Sequence, residues 1–221
     1  MVFPFAFFLL PFLGCATAPY QPPSIVGIPK PIGGIYHEVH QGDTLWRIAQ
    51  VYGMDVTDIV KANNIPNSAK INAGQRLFIP GAKTPHTVTA EKTALYEKDL
   101  FIWPLSGDCV SYFSQETYGA RNKGIDIKAK EGGDVVASKG GKVVFCSNKV
   151  KGLGRVIIID HLDGFSTVYA RNSQNLVKVG DRVEQNQVIA KAGSTGRGAT
   201  QYLHFEIRRR HKSQNPLYYL P

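Results

Sequence analysis

A chain of 221 residues, 43% hydrophobic and 19% charged, has the composition of an ordinary globular protein and room for one medium domain plus a small one. Lys and Arg number 26 against 17 Asp and Glu, a formal +9, which favours acidic partners. No segment reads as a nucleic-acid module, because the basic residues are scattered until Arg208-Arg209-Arg210-His211-Lys212. The excess charge also reads as a solvated, solubilising face.

Met1 to Gly14 is apolar and runs into Phe12-Leu13-Gly14-Cys15. It is too short to span a bilayer as a helix and fits the apolar part of an export signal. Residues 1–15 resemble a bacterial lipoprotein signal, which implies cleavage before Cys15 and its lipidation. They depart from that pattern in two ways: no Lys or Arg precedes Cys15, and Phe12 stands where leucine is usual. The alternative is an apolar segment that is cleaved or buried. Ala16 follows the cysteine with no aspartate, which by the same resemblance permits sorting to the periplasmic face of a Gram-negative outer membrane. Residues 16–35, with Pro19, Pro22, Pro23, Pro29, Pro31, Gly33 and Gly34, are expected to form an unstructured tether. About 20 residues at ~3 Å each would reach tens of ångströms, far enough to meet a cell-wall layer.

Residues 36–80 predict strand, helix, helix, strand. His37-Glu38-Val39-His40 alternates as a strand does. Asp43 or Thr44 caps a helix in which Leu45, Ile48, Ala49 and Tyr52 share one face, and Gly53 stops it. Thr57 is placed to cap a second helix, Asp58 to Asn63, with Ile59 and Val60 inward, and Gly74-Gln75 turns the chain into Arg76 to Pro80. The residues Val39, Gly42-Asp43-Thr44-Leu45, Ile48-Ala49, Asn63-Asn64, Ile71, Gly74-Gln75, Leu77 and Ile79-Pro80 resemble the LysM family across the whole segment. That resemblance implies a shallow groove for N-acetylglucosamine-containing glycan strands of peptidoglycan, between Gly42-Asp43-Thr44-Leu45 and Asn64-Ile65-Pro66. Backbone hydrogen bonds and a small apolar floor in such loops suit an acetamide. The plainer role of Gly42 and Asp43 is a turn and a helix cap.

Residues 81–100 are polar and read as a joint, with a lid as the alternative; Thr89 to Asp99 could form a short helix. Residues 101–221 read as many short strands broken by glycine turns: Cys109–Phe113, Gly124–Ile127, Asp134–Ala137, Lys142–Phe145, Arg155–Asp160, Phe165–Ala170, Val188–Ala190 and Tyr202–Arg208. Such spacing means an antiparallel β fold. The chain is therefore expected to be mainly β, a βααβ module followed by an antiparallel β domain.

Tyr202-Leu203-His204-Phe205-Glu206-Ile207-Arg208 resembles the last core strand of the LytM (M23) zinc-peptidase family, whose fold is of the duplicated hybrid motif type. Active members carry His-Leu-His in that strand, His-x-x-x-Asp upstream and Tyr-Ala-His between. The matching positions here are Tyr202 and His204, Asn122 and Asp126, and Arg171 after Tyr169-Ala170. Only Asp126 and His204 persist, and catalytic zinc needs three protein ligands with an open fourth position. Neither a metal nor another cofactor is expected, and no catalytic residue remains.

Asn122–Ile127, Gly193-Ser194-Thr195-Gly196 and Asn215–Pro221 further resemble the NlpD-type LysM–LytM lipoproteins. Arg171 departs from them, since they tend to keep Tyr-Ala-His. The resemblance implies a non-enzyme that binds peptidoglycan and activates an N-acetylmuramoyl-L-alanine amidase during daughter-cell separation, with Asn122, Arg171 and Tyr202 lining the partner-binding cleft. Filling space after ligand loss is the plainer role of Arg171 and Tyr202. The rival functions are a zinc endopeptidase and a non-activating wall scaffold. Cys109 and Cys146 fall in predicted strands; they form a disulfide or remain two buried thiols.

Overall fold

The computed structural model describes residues 33–67, 70–83, 100–117, 119–193 and 201–221. Cys15, most of the expected tether, the expected helix Thr89–Asp99 and Ser194-Thr195-Gly196 lie outside the described residues.

The small module is β1 (Gly34–Glu38), α1 (Leu45–Val51), α2 (Val56–Ala62) and β2 (Arg76–Pro80). β1 pairs antiparallel with β2 from Gly34↔Pro80 to Glu38↔Arg76. Gly34 and Ile35 thus belong to the sheet and not to the tether, and the strand ends before Val39 and His40. Gly34 suits its place because a Cβ there would sit 2.5 Å from the Ile79 carbonyl oxygen. Thr44 is the cap of α1, accepting from Arg47 N at 3.1 Å. Asp55, not Thr57, caps the second helix. Its Oδ1 accepts from both Thr57 N at 2.9 Å and the Thr57 hydroxyl at 2.8 Å, so that hydroxyl is already used and the helix starts at Val56. Asn63 ties helix to strand: its amide donates to Ile59 O at 2.8 Å and Phe78 O at 2.7 Å, and its oxygen accepts from Phe78 N at 2.7 Å. Leu45, Ile48, Ala49, Ile59, Leu77 and Ile79 form the centre, each at most 1% exposed.

The larger part contains β3 (Cys109–Ser111), β4 (Glu116–Thr117), β5 (Ala120–Arg121), β6 (Ile125–Lys128), β7 (Asp134–Val136), β8 (Gly141–Val150) and β9 (Gly154–Asp160). It continues with β10 (Phe165–Asn175), β11 (Arg182–Val183), β12 (Val188–Ala192), β13 (Tyr202–Arg209) and β14 (Lys212–Gln214), then a 3₁₀ turn, Pro216–Tyr218. The main sheet runs β11-β8-β9-β10-β13-β6-β3, with β12 added beside β10, β7 beside β12 and β14 beside β13. All its described pairings are antiparallel, and the chain is mainly β. β8 outruns its apolar stretch because backbone pairing with β9 carries the polar residues from Ser147 to Val150. β10 likewise extends past Ala170, through a bulge at Arg171, to pair with β12.

Gly33 to Pro221 is one compact unit, and one hydrophobic core runs through both parts. Trp46 of α1 lies 6.0 Å from the Phe165 ring and 6.2 Å from Tyr219. Phe101 closes the same cluster, 5.5 Å from Phe165 and 6.0 Å from Tyr219. Around this seam Asn67 O accepts from Asn215 Nδ2 at 2.8 Å, Asn67 Oδ1 accepts from the Tyr218 hydroxyl at 3.0 Å, and Arg209 lies 3.8 Å from Asp55. Aromatic pairs in offset or edge-on geometry add to their area burial, so the two parts are packed together; most of the expected joint, residues 84–99, lies outside the described residues. Cys109 and Cys146 are free, half-buried thiols. Cys146 Sγ contacts Val177 O at 3.2 Å and Asn175 Nδ2 at 3.3 Å, so of the two alternatives the disulfide is not the one formed.

Candidate functional site

β13 alternates strictly. Leu203, Phe205 and Ile207 point into the core at 0% exposure, so Tyr202, His204, Glu206 and Arg208 share the opposite face. β6 pairs with β13 in the register His204↔Asp126, which sets those two side chains side by side. His204 Nδ1 meets Asp126 Oδ1 at 2.7 Å, and His204 Nε2 meets Glu206 Oε1 at 3.1 Å. Arg208 Nε donates to Glu206 Oε2 at 2.7 Å. The result is a chain of alternating charge, Asp126–His204–Glu206–Arg208, with His204 and Glu206 buried at its centre.

Burial disfavours the charged imidazole, but hydrogen bonds and attraction from Asp126 and Glu206 outweigh it and push His204 up to about 9. Burial would likewise raise the Glu206 carboxyl; bonds from His204 and Arg208 hold it below its ordinary value. Asn122 is used locally. Its amide donates to Ser111 Oγ at 2.9 Å and to Asp126 Oδ2 at 3.4 Å, and its oxygen accepts from Gly124 N at 2.9 Å.

Arg171 stands in the left-handed region at φ 66°, at the bulge of β10, with its N–H bonded to Leu153 O at 2.9 Å. Its guanidinium lies 4.7 Å over the Tyr202 ring. Such a stack holds the guanidinium by its face and leaves its N–H edge for other partners. The structure therefore gathers Asn122, Asp126 and His204 into one hydrogen-bonded chain, and joins Arg171 to Tyr202 as a second pair on the same strand face.

These residues do not fit zinc. A ligating imidazole must offer a lone pair, whereas both His204 nitrogens face carboxylate oxygens at hydrogen-bond distance. Asp126 is turned to His204, and Asn122 has spent its donors and acceptor. Among the described residues, three ligands and an open position are not gathered at this cleft. Glu206 was not among the residues singled out from the sequence. The signal was there, since the alternation that pairs Tyr202 with His204 continues to Glu206 and Arg208, but only burial at 2% exposure shows the carboxylate closing the second nitrogen.

In the small module, Gly42 (φ 84°) and Asn64 (φ 50°) make exposed turns at the two loops expected to bind glycan. Ile65 is half-buried. Asp43 accepts from His40 N at 2.8 Å and lies between His37 and Arg47. Burial would raise its carboxyl, but the hydrogen bonds of His37 and of the His40 backbone hold it below its ordinary value. Thr44 and Leu45 are buried at 2% and 0% exposure, so their side chains serve the cap and the core, and only their backbones face the loop.

Comparison with known proteins matches Peptidase family M23 over residues 120–216 and the LysM domain over residues 37–80. The chain is 35% identical over 208 residues to "Uncharacterized lipoprotein YgeR" of Escherichia coli, covering 85% of this chain and 82% of that one. It is 37% identical over 268 residues to "Murein hydrolase activator NlpD" of Escherichia coli, covering 88% and 70%. It is 44% identical over 119 residues to "Outer membrane antigenic lipoprotein B" of Haemophilus influenzae, covering 54% and 29%. With a LysM module, an M23 domain and this identity over most of its length, the chain belongs to the NlpD-type LysM–M23 family.

Proposed function

We propose that the protein is a non-catalytic activator of cell-wall hydrolysis, acting on an N-acetylmuramoyl-L-alanine amidase during septal splitting and daughter-cell separation. Residues 36–80 hold peptidoglycan through the loops Gly42–Leu45 and Asn64–Ile65, and residues 101–221 act on the amidase. Cys15 and the tether anchor the chain to the periplasmic face of the outer membrane. The names of two relatives, a murein hydrolase activator and an outer membrane lipoprotein, support the activity and the location.

The observation that carries this reading is the fate of the peptidase site. Its remaining imidazole is clasped by two carboxylates instead of offering a lone pair, so hydrolysis at this cleft has no activated water. What remains is a surface bearing Asn122 beside Arg171 and Tyr202, and arginine and tyrosine are types favoured as anchors at interfaces. An amidase segment bound there acts by favouring the amidase's open state, with differential binding as the driving force.

The test follows release of dye from labelled peptidoglycan by a purified amidase of the same cell, with and without this protein. Stimulation is expected, with a large loss in Arg171→Glu. Unchanged stimulation by that variant removes the cleft from the mechanism. Peptidoglycan cleavage by the protein alone would make it a hydrolase, and binding without stimulation would make it a scaffold.

A further inference from the structure

We propose that His37, His40 and Asp43 form a three-ligand site for a borderline divalent cation of the zinc class, on the small module and separate from the degenerate peptidase cleft. The three residues come from the end of β1 and the turn after it. His37 Nε2 lies 3.5 Å from Asp43 Oδ2, and His40 Nδ1 lies 3.6 Å from the same oxygen. All three candidate ligand atoms lie within 4.8 Å of one another. Zinc bonds of ~2.0–2.1 Å in tetrahedral array separate ligand atoms by roughly 3.3 Å. The two imidazole–carboxylate distances exceed that by a few tenths of an ångström, and the two imidazole nitrogens, within 4.8 Å of each other, close by at most about 1.5 Å through rotation of the exposed His40 side chain. Two imidazoles and one carboxylate are a donor set that zinc accepts with its fourth position open. Magnesium and calcium prefer all-oxygen sets, so the nitrogen donors select against them.

The surroundings support the assignment. Metal-bound histidines usually have their other nitrogen held by a hydrogen-bonding group. His37 Nδ1 is held by the Tyr52 hydroxyl at 3.1 Å, which leaves Nε2 directed at Asp43. Asp43 is oriented by the His40 N–H at 2.8 Å. Arg47 opposes a cation, but its Nε lies 3.9 Å from Oδ1, the carboxylate oxygen away from the two imidazoles. The His40 side chain is 77% exposed, so an ion can enter from solvent. The site lies on the loop proposed to bind glycan, and cation binding there requires no glycan.

The full chain, freed of metal, is titrated with Zn²⁺ alone in competition with a chromophoric chelator. One equivalent per chain is expected. His40→Ala, at an exposed position that leaves the fold intact by circular dichroism, is expected to weaken binding at least about a hundredfold, and Tyr52→Phe about ten- to a hundredfold through loss of His37 orientation. Asp126→Asn, in the other cleft, is expected to keep the zinc. Absence of stoichiometric binding, equal binding by His40→Ala, or loss in Asp126→Asn alone would each overturn the assignment.

Discussion

Raising the pH should unclasp His204, and the size of the effect follows from its contacts. The ring is 10% exposed, lies 2.7 Å and 3.1 Å from two carboxylate oxygens, and is pushed up from 6.5 to about 9. A group whose folded value exceeds its unfolded value stabilises the fold fully below the unfolded value, and that stability is lost as pH climbs through the folded one. The window here runs from about pH 6.5 to about pH 9. At ~1.4 kcal/mol per unit, the displacement corresponds to about 3 kcal/mol, shared among Asp126, His204 and Glu206 and counted once. The assay is urea unfolding at intervals from pH 6 to pH 10, for the native chain and for His204→Gln. The difference between the two chains, which cancels the titrating groups that do not touch His204, should shrink by about 3 kcal/mol across the window. A difference that stays flat, or grows with pH, would mean that the ring enters the fold neutral. The argument against zinc in this cleft would then fail with it, because a neutral imidazole still has a lone pair to give.

Four substitutions probe packing and buried hydrogen bonds. Trp46→Ala removes a side chain that is 8% exposed against Phe165 and Tyr219 and should cost about 3–5 kcal/mol, with the small module melting apart from the rest in calorimetry. Trp46→Phe should cost much less, since the indole Nε1 is buried with no hydrogen-bond partner among the described residues. Asn63→Ala leaves Ile59 O, Phe78 O and Phe78 N without their side-chain partner and should lower stability by about 2–3 kcal/mol in chemical denaturation. Gly124→Ala would set a Cβ 2.0 Å from Phe205 O, so β6 would have to leave β13; soluble expression should fall sharply, with a loss of roughly 3 kcal/mol or more.

Much of this protein was written locally in its residues. The order strand, helix, helix, strand follows from helical spacing of Leu45, Ile48 and Ala49 and from caps and glycines that act over four or five positions. The alternation in β13 set which side chains share a face. Where local reading slipped, a competing local bond explains it, as when Asp55 takes the Thr57 hydroxyl and moves the start of α2. Tertiary structure decided the rest. No periodicity announces that Trp46 will meet Phe165 and Tyr219, more than a hundred residues away, because side-chain pattern shows that a face is buried and not against what. Nor could sequence tell whether His204 would wait as a neutral ligand or be closed off by Glu206. That depends on the β6–β13 register and on burial, which together set two carboxylates on one imidazole. The same holds for His37, His40 and Asp43, whose convergence comes from a strand ending at Glu38 and the turn that folds back over it.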